Sequence, residues 1–88
     1  MRILQSPSFK RAYKKTIRNN PELEARFWEK VKLFTENPFA PQLKTHKLSG
    51  KLKELWSFTV AYDCRVVFYF VNNEVVEFVD IGRHADVY

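Results

Sequence analysis

The side chains best suited to chemistry crowd one short stretch, Ile81-Gly82-Arg83-His84-Ala85-Asp86-Val87-Tyr88. Histidine titrates near neutrality, so it can give or take a proton in a reaction at physiological pH. Arginine keeps its charge and grips two oxygens of a phosphate with its planar fork. A tyrosine ring stacks on flat ligands. Terminal residues usually bury little and order poorly, so a solvated tail is the plain alternative for His84. Gly82 is expected to turn the last strand sharply and bring the tail back over the sheet. Asp86 suits a structural or partner-facing place better than a chemical one.

Further candidates lie upstream. His46 sits in a connecting segment and either fixes it by hydrogen bonding or reaches a substrate. Arg65 opens an apolar run and has two possible uses: an anion grip on a free sheet face, or a structural ion pair with Asp63 or Asp80. Asp63 is first of all a turn former. Trp56 and Phe58 read as core rather than stacking platforms, and Cys64 as a small buried hydrophobe.

These residues need a frame. Arg2 to Gln5 is a short strand. Ser6-Pro7 caps and opens a first helix with Phe9, Ala12, Tyr13 and Ile17 on one stripe. The helix is expected to stop at Asn19-Asn20, because Pro21 restricts its predecessor. Asn20-Pro21 opens a second helix with Leu23, Phe27, Val31 and Phe34 inward, widened by Trp28 and Leu33. Glu22 and Glu24 suit its positive end, and Asn37-Pro38 ends it. Residues 38–50, with two prolines and a glycine, read as a long surface connection, a type that is often functional. Three strands follow, Leu55 to Ala61, Arg65 to Val71 and Glu74 to Ile81. Tyr62-Asp63-Cys64 is one turn between them, and Asn72-Asn73 a two-residue hairpin with asparagine at positive φ. The order β-α-α-β-β-β defines an α+β domain: an N-terminal strand and a helical hairpin packed on a small antiparallel sheet, one face of which stays free.

Eighty-eight residues make one domain, 1–88, with a modest core. One cysteine excludes an internal disulfide, and two histidines without neighbouring ligands point away from zinc. No metal or other cofactor is expected. No apolar run approaches a membrane span, so no membrane role and a cytoplasmic location are expected. The net charge of +5 is uneven: residues 1–21 carry Arg2, Lys10, Arg11, Lys14, Lys15 and Arg18 and no acid. Residues 37–53 carry Lys44, Lys47, Lys51 and Lys53, again without an acid. Such asymmetry favours a polyanionic partner, against the simpler reading of a solvated helix face.

The element order, together with His46-Lys47-Leu48-Ser49-Gly50, Trp56-Ser57-Phe58, Tyr62-Asp63-Cys64-Arg65-Val66-Val67-Phe68 and the ending IGRHADVY, resembles the RelE/ParE superfamily of bacterial toxins. Within it the chain is most similar to the YafQ-like branch. The resemblance covers the whole chain and is most specific from His46 onward. It implies a RelE-like fold, ribosome-dependent endonucleolytic cleavage of mRNA, and a cognate antitoxin as the stable partner. It also implies roles: Arg65 for the phosphate, His84 for proton transfer, Tyr88 for support of cleavage, and His46 and Asp63 as further catalytic candidates. The chain departs from relatives at Trp56 and Phe58, where RelE has lysines, at Thr59, where YafQ-like toxins have a histidine, and at Ile81, where they have an arginine. Arg83 is the candidate replacement for that arginine.

Cleaving RNA without a metal needs a base for the attacking 2′-OH, an acid for the leaving 5′-oxygen, and cations for the added phosphorane charge. His46, His84, Arg65, Arg83 and Tyr88 supply each class, with Lys47, Lys51 and Lys53 for RNA-backbone contacts. Two alternatives share the fold: a ParE-like, non-enzymatic inhibitor of DNA gyrase, and a decayed toxin that only binds its antitoxin.

Overall fold

Both helices begin as their sequences require. In the computed structural model, which describes residues 1–50 and 54–83, the Ser6 hydroxyl accepts from the Phe9 amide at 3.0 Å and the Asn20 carbonyl oxygen from the Leu23 amide at 3.1 Å. Each satisfies an N-terminal donor that the helix itself leaves unpaired. They open α1 (Pro7–Thr16) and α2 (Pro21–Glu36), with proline in the first turn of both. Helix α1 ends at Thr16, short of the expected Asn19-Asn20, because Ile17 caps it and is wholly buried. The two helices form an antiparallel hairpin. Phe9 and Tyr13 meet Phe27 at ring distances of 6.2 and 5.2 Å, and the Tyr13 hydroxyl donates to Glu24 at 2.8 Å.

The strands are β1 (Arg2–Gln5), β2 (His46–Lys47), β3 (Trp56–Ala61), β4 (Cys64–Phe70) and β5 (Val75–Gly82). They form one five-stranded sheet in the order β1-β5-β4-β3-β2. The expected antiparallel meander is its centre, but the whole sheet is mixed: β1 runs parallel to β5, with Arg2 opposite Val75 and Gln5 opposite Phe78. The connection expected to be irregular also contributes β2, pairing His46 with Ser57 and Lys47 with Trp56. A short 3-10 turn (Pro41–Leu43) precedes it, ending at Lys44 with φ 51°. The β4–β5 connection is a four-residue loop. Asn72 closes it by accepting from the Glu74 and Val75 amides at 2.8 and 3.0 Å, without the positive φ expected of its asparagines.

Both helices cover one sheet face, and the core lies between. Phe34 is wholly buried against Phe58, Phe68 and Phe78, with rings 4.8, 4.9 and 5.8 Å away. Burying each such ring contributes about 1.5–3 kcal/mol. Phe58 is therefore core, as expected, and Trp56 packs at the core's edge against Phe39 and Phe70. Trp28 does not widen the buried stripe: it stands 53% exposed, edge-on to Phe27. Among the described residues no helix is long and apolar enough to cross a membrane.

Candidate active site

Strand alternation sorts the candidates by face. On β4, Cys64, Val66 and Phe68 turn inward to the helices, so Arg65, Val67 and Tyr69 turn to the helix-free face. Cross-strand register then defines two rows on that face. One runs Thr59–Arg65–Gly82 and the next His46–Ser57–Val67–Asp80. Arg65 thus lies on the free face, one row from Asp80.

A β-bulge completes both rows. Val67 pairs with Asp80 but Phe68 pairs with Phe78, which leaves Val79 as the extra residue. The bulge shifts the phase of β5, so Phe78 and Ile81 both reach the core although three positions apart. Without it Asp80 would point into the helices. The Ser8 hydroxyl holds the bulge by donating to the Val79 carbonyl at 2.7 Å. Gly82 is the last residue of β5 and is not at positive φ, and the course of the tail that it is expected to turn lies outside the described residues. It is buried and stands opposite Arg65 in the sheet register, adding no side chain of its own to that row.

Arg65 Nη1 is buried and has no hydrogen-bond partner. An unsatisfied buried donor costs about 1–3 kcal/mol, more when charged, and an anion is the partner that relieves it. No ion pair joins Arg65 to Asp63. The Asp63 carboxylate instead faces Arg83, 3.7 Å away, at the end of the two-residue β3–β4 turn.

His46 stands on the outer strand of the same face. Its Nδ1 lies 3.0 Å from the Lys44 carbonyl. A carbonyl only accepts, so Nδ1 carries the proton and the neutral ring keeps its lone pair on Nε2. The left-handed backbone at Lys44 aims that carbonyl, so His46 both fixes local structure and is held in one tautomer. Standard strand spacings put the His46 and Arg65 Cα atoms about 12 Å apart. That gap leaves room for a substrate between them.

The other candidates divide. Lys47 shares its register with Trp56 and pairs with Glu54 at 3.0 Å, which turns it from the His46 row. Arg83 follows Gly82 at the rim. His84, Tyr88, Asp86, Lys51 and Lys53 lie outside the described residues. Cys64 is buried, and burial pushes its thiol up to about 11, as suits the hydrophobe expected there. Sequence reasoning missed the places of Thr59, Ser57 and Asp80 on this face. The three-residue spacing of Phe78 and Ile81 was the available signal for the bulge. Among the described residues no three His, Cys, Asp or Glu side chains gather to hold a metal ion.

Comparison with known proteins agrees with this fold. A family model described as bacterial toxin of type II toxin-antitoxin system, YafQ, matches residues 1–88. The solved structure of YafQ from E. coli strain BL21(DE3) superimposes with a TM-score of 0.81 at 19% identity, covering 100% of this chain and 99% of that one. A metal-bound toxin from Helicobacter pylori gives 0.76 at 26% identity, covering 100% and 99%. The YoeB-YefM complex from Staphylococcus aureus gives 0.75 at 22%, covering 96% and 97%. No curated protein sequence matches the chain significantly. A whole-length family match, on a fold whose open face carries an unpartnered arginine, has one meaning: the chain belongs to the YafQ family, bacterial toxins of type II toxin–antitoxin systems.

Proposed function

We propose that this toxin is a ribosome-dependent endoribonuclease that cleaves mRNA by side-chain acid–base catalysis and so inhibits translation. The observation that carries the reading is Arg65: a guanidinium on the helix-free face, with a buried Nη1 that has no hydrogen-bond partner. The scissile phosphate supplies the missing acceptor, and the cation offsets the charge that builds as the 2′-OH attacks phosphorus. His46, on the outer strand of the same face, is the candidate to take the 2′-OH proton, with Asp63 as the second candidate. His84 donates to the leaving 5′-oxygen, and Tyr88 orients the nucleotide. The products are a 2′,3′-cyclic phosphate and a 5′-OH. Arg83, Lys47, Lys51 and Lys53 add backbone contacts. No metal ion enters these steps.

The stable partner is a cognate antitoxin, a reading supported by the YoeB-YefM complex among the similar structures. The acid-free first 21 residues, with Lys10, Arg11, Lys14 and Arg18 exposed, suit an acidic segment or the ribosomal RNA.

The test is induction of wild type beside Arg65→Ala and His84→Ala, with message ends mapped by primer extension. Wild type should cut translated messages, and naked RNA should survive the purified protein. Undiminished growth arrest and cleavage by both variants would sink the assignment. Intact messages with DNA damage would give the gyrase-inhibitor reading instead.

A further inference from the structure

Beyond Arg65 the sheet ends in a cavity of whose lining the proposed mechanism uses only Asp63 and Arg83. It lies where the β3–β4 turn meets the bend of the helical hairpin, and its volume is about 360 Å³. That is the lower end of the range for small-molecule sites. Leu23, Ala61 and Cys64 supply an apolar lining. The thiol, pushed up to about 11, is neutral at physiological pH and behaves as part of that lining. Lys15, Thr16, Asn20, Asp63 and Arg83 supply the polar part.

The polar groups have uneven commitments. Asn20 spends its carbonyl oxygen on the Leu23 amide, which leaves its NH₂ group to donate outward. Thr16 donates its proton toward the Ile81 carbonyl at 3.4 Å and retains oxygen lone pairs. Asp63 offsets Arg83, while Lys15 is exposed and has no ion-pair partner among the described residues. The result is an apolar slot with donors and acceptors around it and one uncompensated cation. Tyr62, between the lining residues Ala61 and Asp63, is 98% exposed at the tip of the turn. Its ring is a stacking surface with little other structural use.

The position matters as much as the chemistry. Arg83 lines the cavity and directly follows Gly82, the cross-strand partner of Arg65. The slot lies on the helix side of the sheet's end, so a chain whose phosphate sits on Arg65 reaches it by turning over that end past Arg83.

We propose that this cavity is a nucleotide subsite, receiving one base of the RNA strand beside the phosphate held by Arg65, with Lys15 on the next phosphate and Tyr62 stacking on the base. The inference rests on the reading of the protein as an RNA-cleaving toxin and adds a place where base identity is felt. An apolar slot with both donor and acceptor groups discriminates among bases.

Two measurements separate the inference from the reading it rests on. The first is an NMR titration of the purified wild-type chain with AMP, CMP, GMP and UMP, and with inorganic phosphate as control. Amide shifts are expected at Lys15, Asn20, Leu23 and Ala61, larger for one nucleotide than the others. Lys15→Glu and Tyr62→Ala should each weaken that binding about tenfold, the size of a lost base stack or phosphate contact. Absence of shifts, or equal shifts with phosphate alone, would overturn the subsite. The second is end mapping with the same two variants, checked for unchanged thermal unfolding. Cleavage should persist but lose its preference at one position flanking the cut. An unchanged preference in both variants overturns the proposal even if wild type cuts RNA. Specific mononucleotide binding by a chain that cuts no RNA would keep the subsite and reject the nuclease.

Discussion

Replacing Arg65 by methionine should move stability and activity in opposite directions. Methionine keeps most of the aliphatic stem but removes the guanidinium whose Nη1 is buried without a partner. Relief of that donor is worth about 1–3 kcal/mol. Part of it is offset by the lost packing of the guanidinium, which leaves a net gain of about 1 kcal/mol. For a domain of this size that raises Tm by roughly 4–8 °C. Lowering a net charge of +5 acts in the same direction. Cleavage should meanwhile fall about 100- to 1,000-fold, the usual cost of removing one group that stabilises transition-state charge. Differential scanning calorimetry and single-turnover cleavage on programmed ribosomes measure the two effects on one preparation. A Tm several degrees below wild type would mean that the guanidinium holds the fold together, and the anion argument would fail. Unchanged cleavage would refute the phosphate role directly.

Four shorter predictions follow from other parts of the molecule. Phe34→Ala removes the ring common to the Phe58, Phe68 and Phe78 contacts and should cost about 3–5 kcal/mol, read as a fall in the denaturation midpoint. A loss below 1 kcal/mol would show that the core is centred elsewhere. Ser8→Ala should cost about 1 kcal/mol through its hydrogen bond to the bulge, with a matching loss of cleavage if Asp80 and Gly82 swing out of register. The Cys64 thiol, raised from 9.0 to about 11 by burial, is an acid that holds its proton more tightly when folded. Its contribution is therefore complete below pH 9 and lost as pH climbs through 11. Wild type should lose Tm over that window more steeply than Cys64→Ala, and parallel curves would contradict the shift. Finally, cleavage should survive a chelator that strips zinc and copper but spares ribosomal magnesium; a loss restored by adding either metal would refute a mechanism of side chains alone.

The frame of the site was legible because caps, prolines and alternation are local signals. Ser6-Pro7, Asn20-Pro21 and the inward series Cys64, Val66, Phe68 each declare their structure within a few residues. The face of Arg65 follows from that same alternation once the helices are known to cover the other side. What stayed hidden depends on partners far away in sequence. The two-residue strand at His46 exists only because Ser57 and Trp56 offer an edge. The parallel docking of β1 is decided by Val75 to Phe78. The place of Gly82 opposite Arg65 depends on the bulge at Val79, which no neighbouring residue in the sequence declares. Trp28 kept the helical spacing of a core residue, yet it falls at the margin of the stripe and faces water.

The docking of β1 has a bearing on how the toxin comes into being. Arg2 to Gln5 pair with β5 alone, and Ser8 reaches the Val79 carbonyl across 71 residues of sequence. Closing so long a loop is entropically costly and slow compared with hairpin formation. During synthesis the helical hairpin can form early, but its apolar stripe has no sheet to cover until β3, β4 and β5 have left the ribosomal tunnel. The bulge, and with it the Arg65 row, is secured last. A nascent copy thus lacks the finished Arg65 row while it is being made, and its exposed stripe gives an antitoxin a window for capture. Pulse-labelled chains probed by limited proteolysis would show this order directly, with protection of β1 appearing only after release.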